Sequence, residues 1–218
     1  MGGNPKIWMT FQGRPVIEWT LRRFQEADVR QGVVVARQDD LTRVAEVLAD
    51  LELAYQTTAG GSERYLSVRR GLQALGEISP KSVVLIHDAA RFLTPKSLIR
   101  RVADQASIHG AALPVLEVPD TVKRVEESGQ VESTVPRDCL RLAQTPQGFH
   151  YEIIVEAYRR LSGPLVPTDD AEVAERAGFP VWTVAGDPMN VKLTRPEDAR
   201  IMAALAEGGT RDADWPGV

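Results

Sequence analysis

Short apolar, β-branched runs alternate with longer stretches of helical periodicity, and this alternation does most to restrict what the chain can fold into. Val16, Ile17, Thr20, Leu21 and Phe24 recur at helical spacing, which predicts an amphipathic helix over residues 15–27 with Arg22, Arg23 and Glu26 facing outward. "GVVVA" at 32–36 then reads as a strand buried on both faces. The rhythm continues with a helix at 41–51, a short strand "LAYQT" at 53–57 and, after Gly60-Gly61, a helix at 62–75. "SVVLIHDAAR" at 82–91 is the clearest buried strand, followed by a helix at about 95–109 and the strand "AALPV". Strands separated by helices of ten or more residues predict an α/β protein, a mostly parallel sheet covered on both faces in a three-layer α/β/α sandwich.

The rhythm changes after Pro114. Alternating segments near 118–125 and 131–135 flank the turn Glu127-Ser128-Gly129-Gln130, a hairpin signal. Its faces carry Lys123, Arg124, Glu126, Glu127 and Glu132, and a lone two-stranded ribbon is marginal in water, so this arm needs a surface to pack on. That surface is either a neighbouring subunit or the arm's own domain. Further on, Asp169 with Glu172 forms a capping box opening a helix to about 177, and "VWTVAG" at 181–186 reads as a strand. Thr194 and Glu197 around Pro196 open a last helix over 195–207, and the tail 208–218 has no core stripe and is expected to be loose.

A chain of 218 residues suits one domain, placed at 1–207 with the arm at about 117–137 inside it. Its formal charge of -4 comes from acidic and basic residues spread along the sequence, without the dense basic block that tracks a nucleic-acid backbone. No apolar run approaches the roughly 20 residues of a membrane span, and the expected location is the cytoplasm. Cys139 is the only cysteine, which removes disulfides and thiolate clusters within the chain. It sits in the apolar run "CLRLAQ" and reads as a buried residue, not a nucleophile. His87, His109 and His150 lack metal-ligand spacing, so zinc chemistry is not expected.

In open α/β sheets, ligands bind beyond the carboxyl ends of strands. Five groups fall at such exits. Gly2, Gly3 and Lys6 read as the tail of a glycine-rich phosphate loop. In "AGGSERYLS" the glycines allow close backbone approach, and Arg64 and Ser67 lie on the first turns of the next helix. In "IHDAAR" Asp88 follows an apolar strand, where a carboxylate can hold Mg²⁺ together with phosphate oxygens. Thr121, Lys123 and Arg137 of the arm join Thr145 after "LRLAQ", and Lys192 follows a short β-branched segment. Glycines, one acid and several cations at the exits of one sheet point to a phosphorylated ligand bound with Mg²⁺.

Taken in order, "NPK", "GGSERYLS", "IHDAARF", "PDTVKR", "TVPR", "QTPQGF", "TDDAEVAERAGFPV" and "NVKLTRPED" resemble the 2-C-methyl-D-erythritol 4-phosphate cytidylyltransferases over nearly all of residues 1–207. Several of these motifs are shared with ribitol 5-phosphate cytidylyltransferases. The resemblance implies a Rossmann-like fold, CTP and 2-C-methyl-D-erythritol 4-phosphate as substrates, pyrophosphate release and a homodimer formed through the arm. It implies that Gly61, Arg64 and Ser67 lie near cytosine and ribose, with Gly2, Gly3 and Ala89 also on the nucleotide. Asp88 is implied as the Mg²⁺ carboxylate, with Arg91 beside it. Thr121, Arg137 and Thr145 are implied on the sugar phosphate, and Lys6 and Lys192 at the reacting phosphates. Family members begin with a buried strand and a loop of the type "PAAGxGxRMxxxxPKQ". This sequence enters that motif at "MGGNPK" with Ile7 in place of glutamine, which leads us to expect a start codon assigned too far downstream. A truncated, catalytically silent nucleotide-binding protein is the alternative. Phe92 also departs from the family's proline.

Overall fold

A computed structural model of the chain describes residues 6–163 and 166–194; Gly2, Gly3, the helix expected at 195–207 and the tail at 208–218 lie outside the described residues. A 3₁₀ turn, Lys6–Trp8, and a minimal hairpin of β1 (Thr10–Phe11) and β2 (Arg14–Pro15) lead into α1 (Val16–Glu26). The apolar stripe read from the sequence is the face that α1 buries: Val16, Ile17, Thr20, Leu21 and Phe24. Next come β3 (Val33–Ala36), α2 (Leu41–Asp50), β4 (Gln56–Ala59), α3 (Arg64–Leu75), β5 (Val83–Ile86), α4 (Lys96–His109) and β6 (Ala111–Glu117). The strand expected at 53–57 begins three residues later, at Gln56, because Leu53 and Tyr55 pack into the cluster around α1 and α2 before pairing with β3 begins.

The arm is present as β7 (Val122–Val125) paired antiparallel with β8 (Val131–Val135), and Gly129 takes the positive φ of 88° that its turn requires. Behind it run β9 (Arg141–Ala143), β10 (Gln147–His150), α5 (Tyr151–Arg160), α6 (Asp170–Arg176) and β11 (Trp182–Ala185). The predicted cap of α6 forms: the Asp169 carboxylate accepts the Glu172 N–H at 2.8 Å.

The main sheet has the order β11-β6-β10-β5, with β9 on the remaining part of β6. β5, β6 and β11 point one way, whereas β10, between β5 and β6, and β9 run against them. One face is covered by α4, whose Leu98 and Val102 pack with Val184 of β11. The other is covered by α3, α5 and α6, whose Leu72, Ile154, Tyr158 and Val173 pack with Phe149 of β10. Gly148 makes the α4 side possible: a Cβ there would lie 3.0 Å from that of Ala106. The layers are those expected; the antiparallel β10 and the helix α5 were not.

Two expectations about burial are corrected. β3 pairs with β4 and β5 pairs with β10, but among the described residues β3 and β5 do not pair with each other. A cleft of about 720 Å³ is lined by Val33, Val34 and Val35 of β3 and by all of β5, together with residues of α1 and α3. The four residues of β5 are therefore half-buried, not enclosed on both faces. Cys139 is exposed. Its run leads into β9, an edge strand whose described partner is β6 alone, and Leu140 and Leu142 beside it are exposed as well, so "CLRLAQ" lies outside the core.

Candidate active site

Asp88 stands just past the end of β5, and the chain's long-range polar contacts converge on it. The Asp88 backbone N–H donates to Thr145 Oγ1 at 3.1 Å. Arg64 Nε reaches Asp88 Oδ1 at 3.2 Å, and Lys192 Nζ reaches Oδ2 at 2.7 Å. α3 delivers Arg64 at its first residue, and the loop after β11 delivers Lys192. That loop is fastened to the β5 exit by the Leu193 N–H donating to the Ala90 carbonyl at 2.9 Å. Arg91 Nη1 adds a bond to the Asn190 carbonyl at 2.6 Å. Lys6 also belongs here, since its ammonium donates to the Thr194 carbonyl.

The electrostatics follow from this crowding. Burial pushes the Asp88 carboxyl up, but Lys192 and Arg64 outweigh it and hold the pKa below the ordinary value. Burial alone would lower Arg64, yet its contacts with Asp170 and Asp88 raise it, so its charge is permanent. Burial lowers Arg91 despite the neighbouring Asp88. His87 is half-buried on the wall of the cleft, and burial takes its pKa down to about 4, which leaves the imidazole neutral at pH 7. A carbonyl only accepts, so the 3.2 Å contact to the Arg91 carbonyl puts the proton on His87 Nε2. Nδ1 then accepts from the Thr145 hydroxyl at 3.0 Å. Phe24 of α1 packs on the ring at 4.9 Å between centroids.

The site residues expected from sequence divide into three groups. Asp88, Arg64, Thr145, Lys192 and Arg91 come together, with Ala89 beside them, its carbonyl accepting from Thr20 Oγ1 at 2.8 Å, and Lys6 joins through the Lys192 loop. Gly61 and Ser67 form a second, local group in which the Gly61 N–H donates to Ser67 Oγ at 3.0 Å, while Ser67 lines the same cleft as Arg64 and Asp88. A Cβ on Gly61 would come within 2.4 Å of that of Leu66, so the loop requires glycine. Thr121 and Arg137 form the third. Arg137 donates to the carbonyls of Val118 and Pro119 at the base of the arm, without a contact to the Asp88 group among the described residues.

Two residues were missed. His87 looked like a scattered histidine, although its position beside Asp88 was a signal. Asp170 was passed over between Asp169 and Glu172 of the capping box; its carboxylate is fully buried, accepting from Arg64 Nη2 at 2.8 Å and from the Tyr158 hydroxyl at 2.7 Å.

Chemically, an ionised carboxylate flanked by fixed cations at a strand exit can hold a divalent metal together with phosphate oxygens. Among the described residues no three acidic, histidine or cysteine groups cluster as a self-sufficient metal site. The donor set therefore fits Mg²⁺, which binds through one or two carboxylates and completes its shell with substrate phosphates and water, and does not fit a protein-caged metal.

Comparison with known proteins agrees with this geometry. The family model for IspD, 2-C-methyl-D-erythritol 4-phosphate cytidylyltransferase, matches residues 1–207. A bifunctional enzyme IspD/IspF of Rhodopseudomonas palustris is 44% identical over 214 residues, covering 94% of this chain and 53% of that protein. One of Nitrobacter winogradskyi is 46% identical over 215 residues, with the same coverage. The chain thus spans about half the length of the curated relatives it matches. Among solved structures, the 2-C-methyl-D-erythritol 4-phosphate cytidylyltransferase of Thermus thermophilus superposes with a TM-score of 0.77 at 35% identity, covering 94% of this chain and 95% of that one. A 4-diphosphocytidyl-2C-methyl-D-erythritol synthase superposes with a TM-score of 0.82 at 32% identity, covering 93% and 95%. The chain belongs to the IspD family of 2-C-methyl-D-erythritol 4-phosphate cytidylyltransferases.

Proposed function

We propose that this chain transfers the cytidylyl group of CTP to 2-C-methyl-D-erythritol 4-phosphate, giving 4-diphosphocytidyl-2-C-methyl-D-erythritol and pyrophosphate for isoprenoid synthesis. The observation that carries this reading is the Asp88 carboxylate held between Arg64 and Lys192 at the exit of β5, with Lys6 tied to the same loop. An oxygen of the sugar phosphate forms a bond to the α-phosphorus of CTP, and the bond from that phosphorus to the bridging oxygen of pyrophosphate breaks. Two anions must approach, so repulsion is the first barrier. Lys192 and Lys6 offset it and stabilise the charge on the equatorial oxygens in the transition state. The attacking phosphate oxygen is already ionised at neutral pH, so no side chain has to remove a proton. Mg²⁺ held by Asp88 would supply further charge neutralisation on the nucleotide phosphates.

The Thr145 hydroxyl accepts from the Asp88 N–H and donates to His87 Nδ1, which fixes the backbone at Asp88, and Thr145 is assigned to the acceptor-phosphate side of the site. Gly61 and Ser67 are assigned to the cytosine and ribose side, where backbone and hydroxyl groups can distinguish bases. Thr121 and Arg137 are assigned to the sugar-phosphate site of a second copy, which the arm reaches in a homodimer. The exposed apolar residues Val125 and Val131 on the arm and Leu142 near its base support that packing. Use of CTP implies the cytoplasm as the working compartment.

Steady-state pyrophosphate release with CTP and Mg²⁺ tests the reading. Turnover is expected with 2-C-methyl-D-erythritol 4-phosphate at a kcat/KM well above that with ribitol 5-phosphate. The reverse preference would reassign the acceptor, and CTP binding without turnover on either would make the chain a silent nucleotide-binding protein.

A further inference from the structure

Arg64 is shared between two carboxylates that differ in freedom. Asp170 is fully buried, and its own position is overdetermined. Its backbone N–H and that of Ala171 both donate to Gln147 Oε1, at 3.0 and 2.9 Å, and its side chain accepts from the Tyr158 hydroxyl. Gln147 is itself buried on β10 and donates from Nε2 to Asp169 Oδ2 at 2.9 Å, so the start of α6 is clamped to the sheet. Asp88 is partly exposed, and its second cation is Lys192, whose side chain is 41% exposed on a long, flexible stem. The guanidinium makes its shorter contact, 2.8 Å, to the buried acid and its longer one, 3.2 Å, to Asp88.

We propose that Asp170 is a positioning residue for nucleotide and metal binding, anchoring Arg64 away from full neutralisation of Asp88 and so keeping that carboxylate available to a divalent cation. This rests on the reading of Asp88 as the Mg²⁺ carboxylate. Burial pushes the Asp170 carboxyl up and the Arg64 guanidinium opposes it, so the ionised form depends on that one cation and Asp170 has a strong claim on it. Lys192 makes the shorter contact to Asp88, at 2.7 Å against 3.2 Å for Arg64, but its partly exposed ammonium is tied to no second carboxylate among the described residues and swings on a flexible stem, so it is the cation that moves aside when the metal arrives. It then becomes available to the nucleotide phosphates. If Asp170 is made neutral, the arginine has one carboxylate left, its charge falls on Asp88, and it competes there with the metal.

The test is calorimetric binding of CTP to the full chain in EDTA and in saturating Mg²⁺, with the ratio of the two dissociation constants as the readout. Asp170→Asn is expected to shrink that ratio by about fivefold, at the lower end of ordinary coupling between sites. CTP binds better without metal, because Asp88 is neutralised, and worse with it. Val173→Ala, a cavity in the same helix, lowers stability and should leave the ratio at its wild-type value. An unchanged ratio in Asp170→Asn, or an equal change in Val173→Ala, would overturn the proposal. Should Asp170→Asn fail to fold, Tyr158→Phe loosens the same carboxylate and is expected to shift the ratio in the same direction by less; no shift there also overturns it. A wild-type ratio of one would show that Asp88 does not serve a metal, and would take this proposal with it.

Discussion

Around Asp88, side chains far apart in sequence hold one another, whereas the arm holds mainly to itself. The Arg64–Asp170 pair spans 106 positions and the Arg91–Asn190 bond 99. In the arm, Lys123 Nζ bonds Thr134 Oγ1 across the ladder at 2.7 Å and Arg137 bonds the backbone at the arm's base, while Val125 and Val131 stay exposed. The first region is assembled by the whole fold before any ligand arrives. The second is a local unit that lacks a core of its own. The difference shows where mutations should act: at the Asp88 corner they reach both stability and turnover, and on the arm they reach neither unless another molecule covers it.

The largest expected effect is on stability at the corner. His87 has a folded pKa of about 4 against an ordinary 6.5, so the unfolded chain binds the extra proton between those values. The contribution of His87 is complete above pH 6.5 and is lost as pH falls toward 4, amounting to about 3 kcal/mol. Urea unfolding of the metal-free protein at pH 7 and pH 5 should show about 2 kcal/mol of this loss in the wild type and less in His87→Asn. Equal losses in both would separate His87 from the acid sensitivity of the corner.

Next in size, Lys192→Ala and Lys6→Ala should each lower kcat by about a hundredfold, the cost of one preorganised electrostatic contact. Unchanged turnover would remove that lysine from the reacting phosphates and leave its ion pair or loop contact as structure alone. Asp169→Ala should cost about 1 kcal/mol in thermal or urea unfolding through loss of the α6 cap, with the Gln147 contact weakened as well. A wild-type melting curve would mean that the clamp on α6 comes from Gln147 and its two backbone bonds. The smallest effect belongs to the arm: Val131→Lys should change monomer stability by less than about 0.5 kcal/mol. The same variant should weaken self-association in sedimentation velocity. Association at wild-type strength would break the comparison by making the arm a surface that no second copy covers.

Much of the fold was legible locally. α1 declared its buried face through residues spaced by three and four, α6 declared its start through Asp169 and Glu172, and the arm declared its turn through Gly129. α5 was equally legible, because Ile154, Ala157 and Tyr158 recur at helical spacing, and it was overlooked. β10 was not: Gln147 and Gly148 carry no strand signal, and only pairing with β5 on one side and β6 on the other makes the segment a strand. The site divides in the same way. Asp88, Arg64 and Lys192 were legible as charges at strand exits and by resemblance, while the roles of His87 and Asp170 depend on burial and on partners distant in sequence.

The sequence by itself determined the elements with a periodic apolar face, the caps and turns that bound them, the family, and the residue types gathered at the strand exits. Those features follow from interactions within a few residues, which periodicity and spacing record directly. Tertiary structure decided the insertion of β10, the open cleft between β3 and β5, the exposure of Cys139, and which carboxylate keeps the arginine. Burial and electrostatic pairing depend on what the rest of the chain brings within a few ångströms, and distance along the sequence carries little of that information.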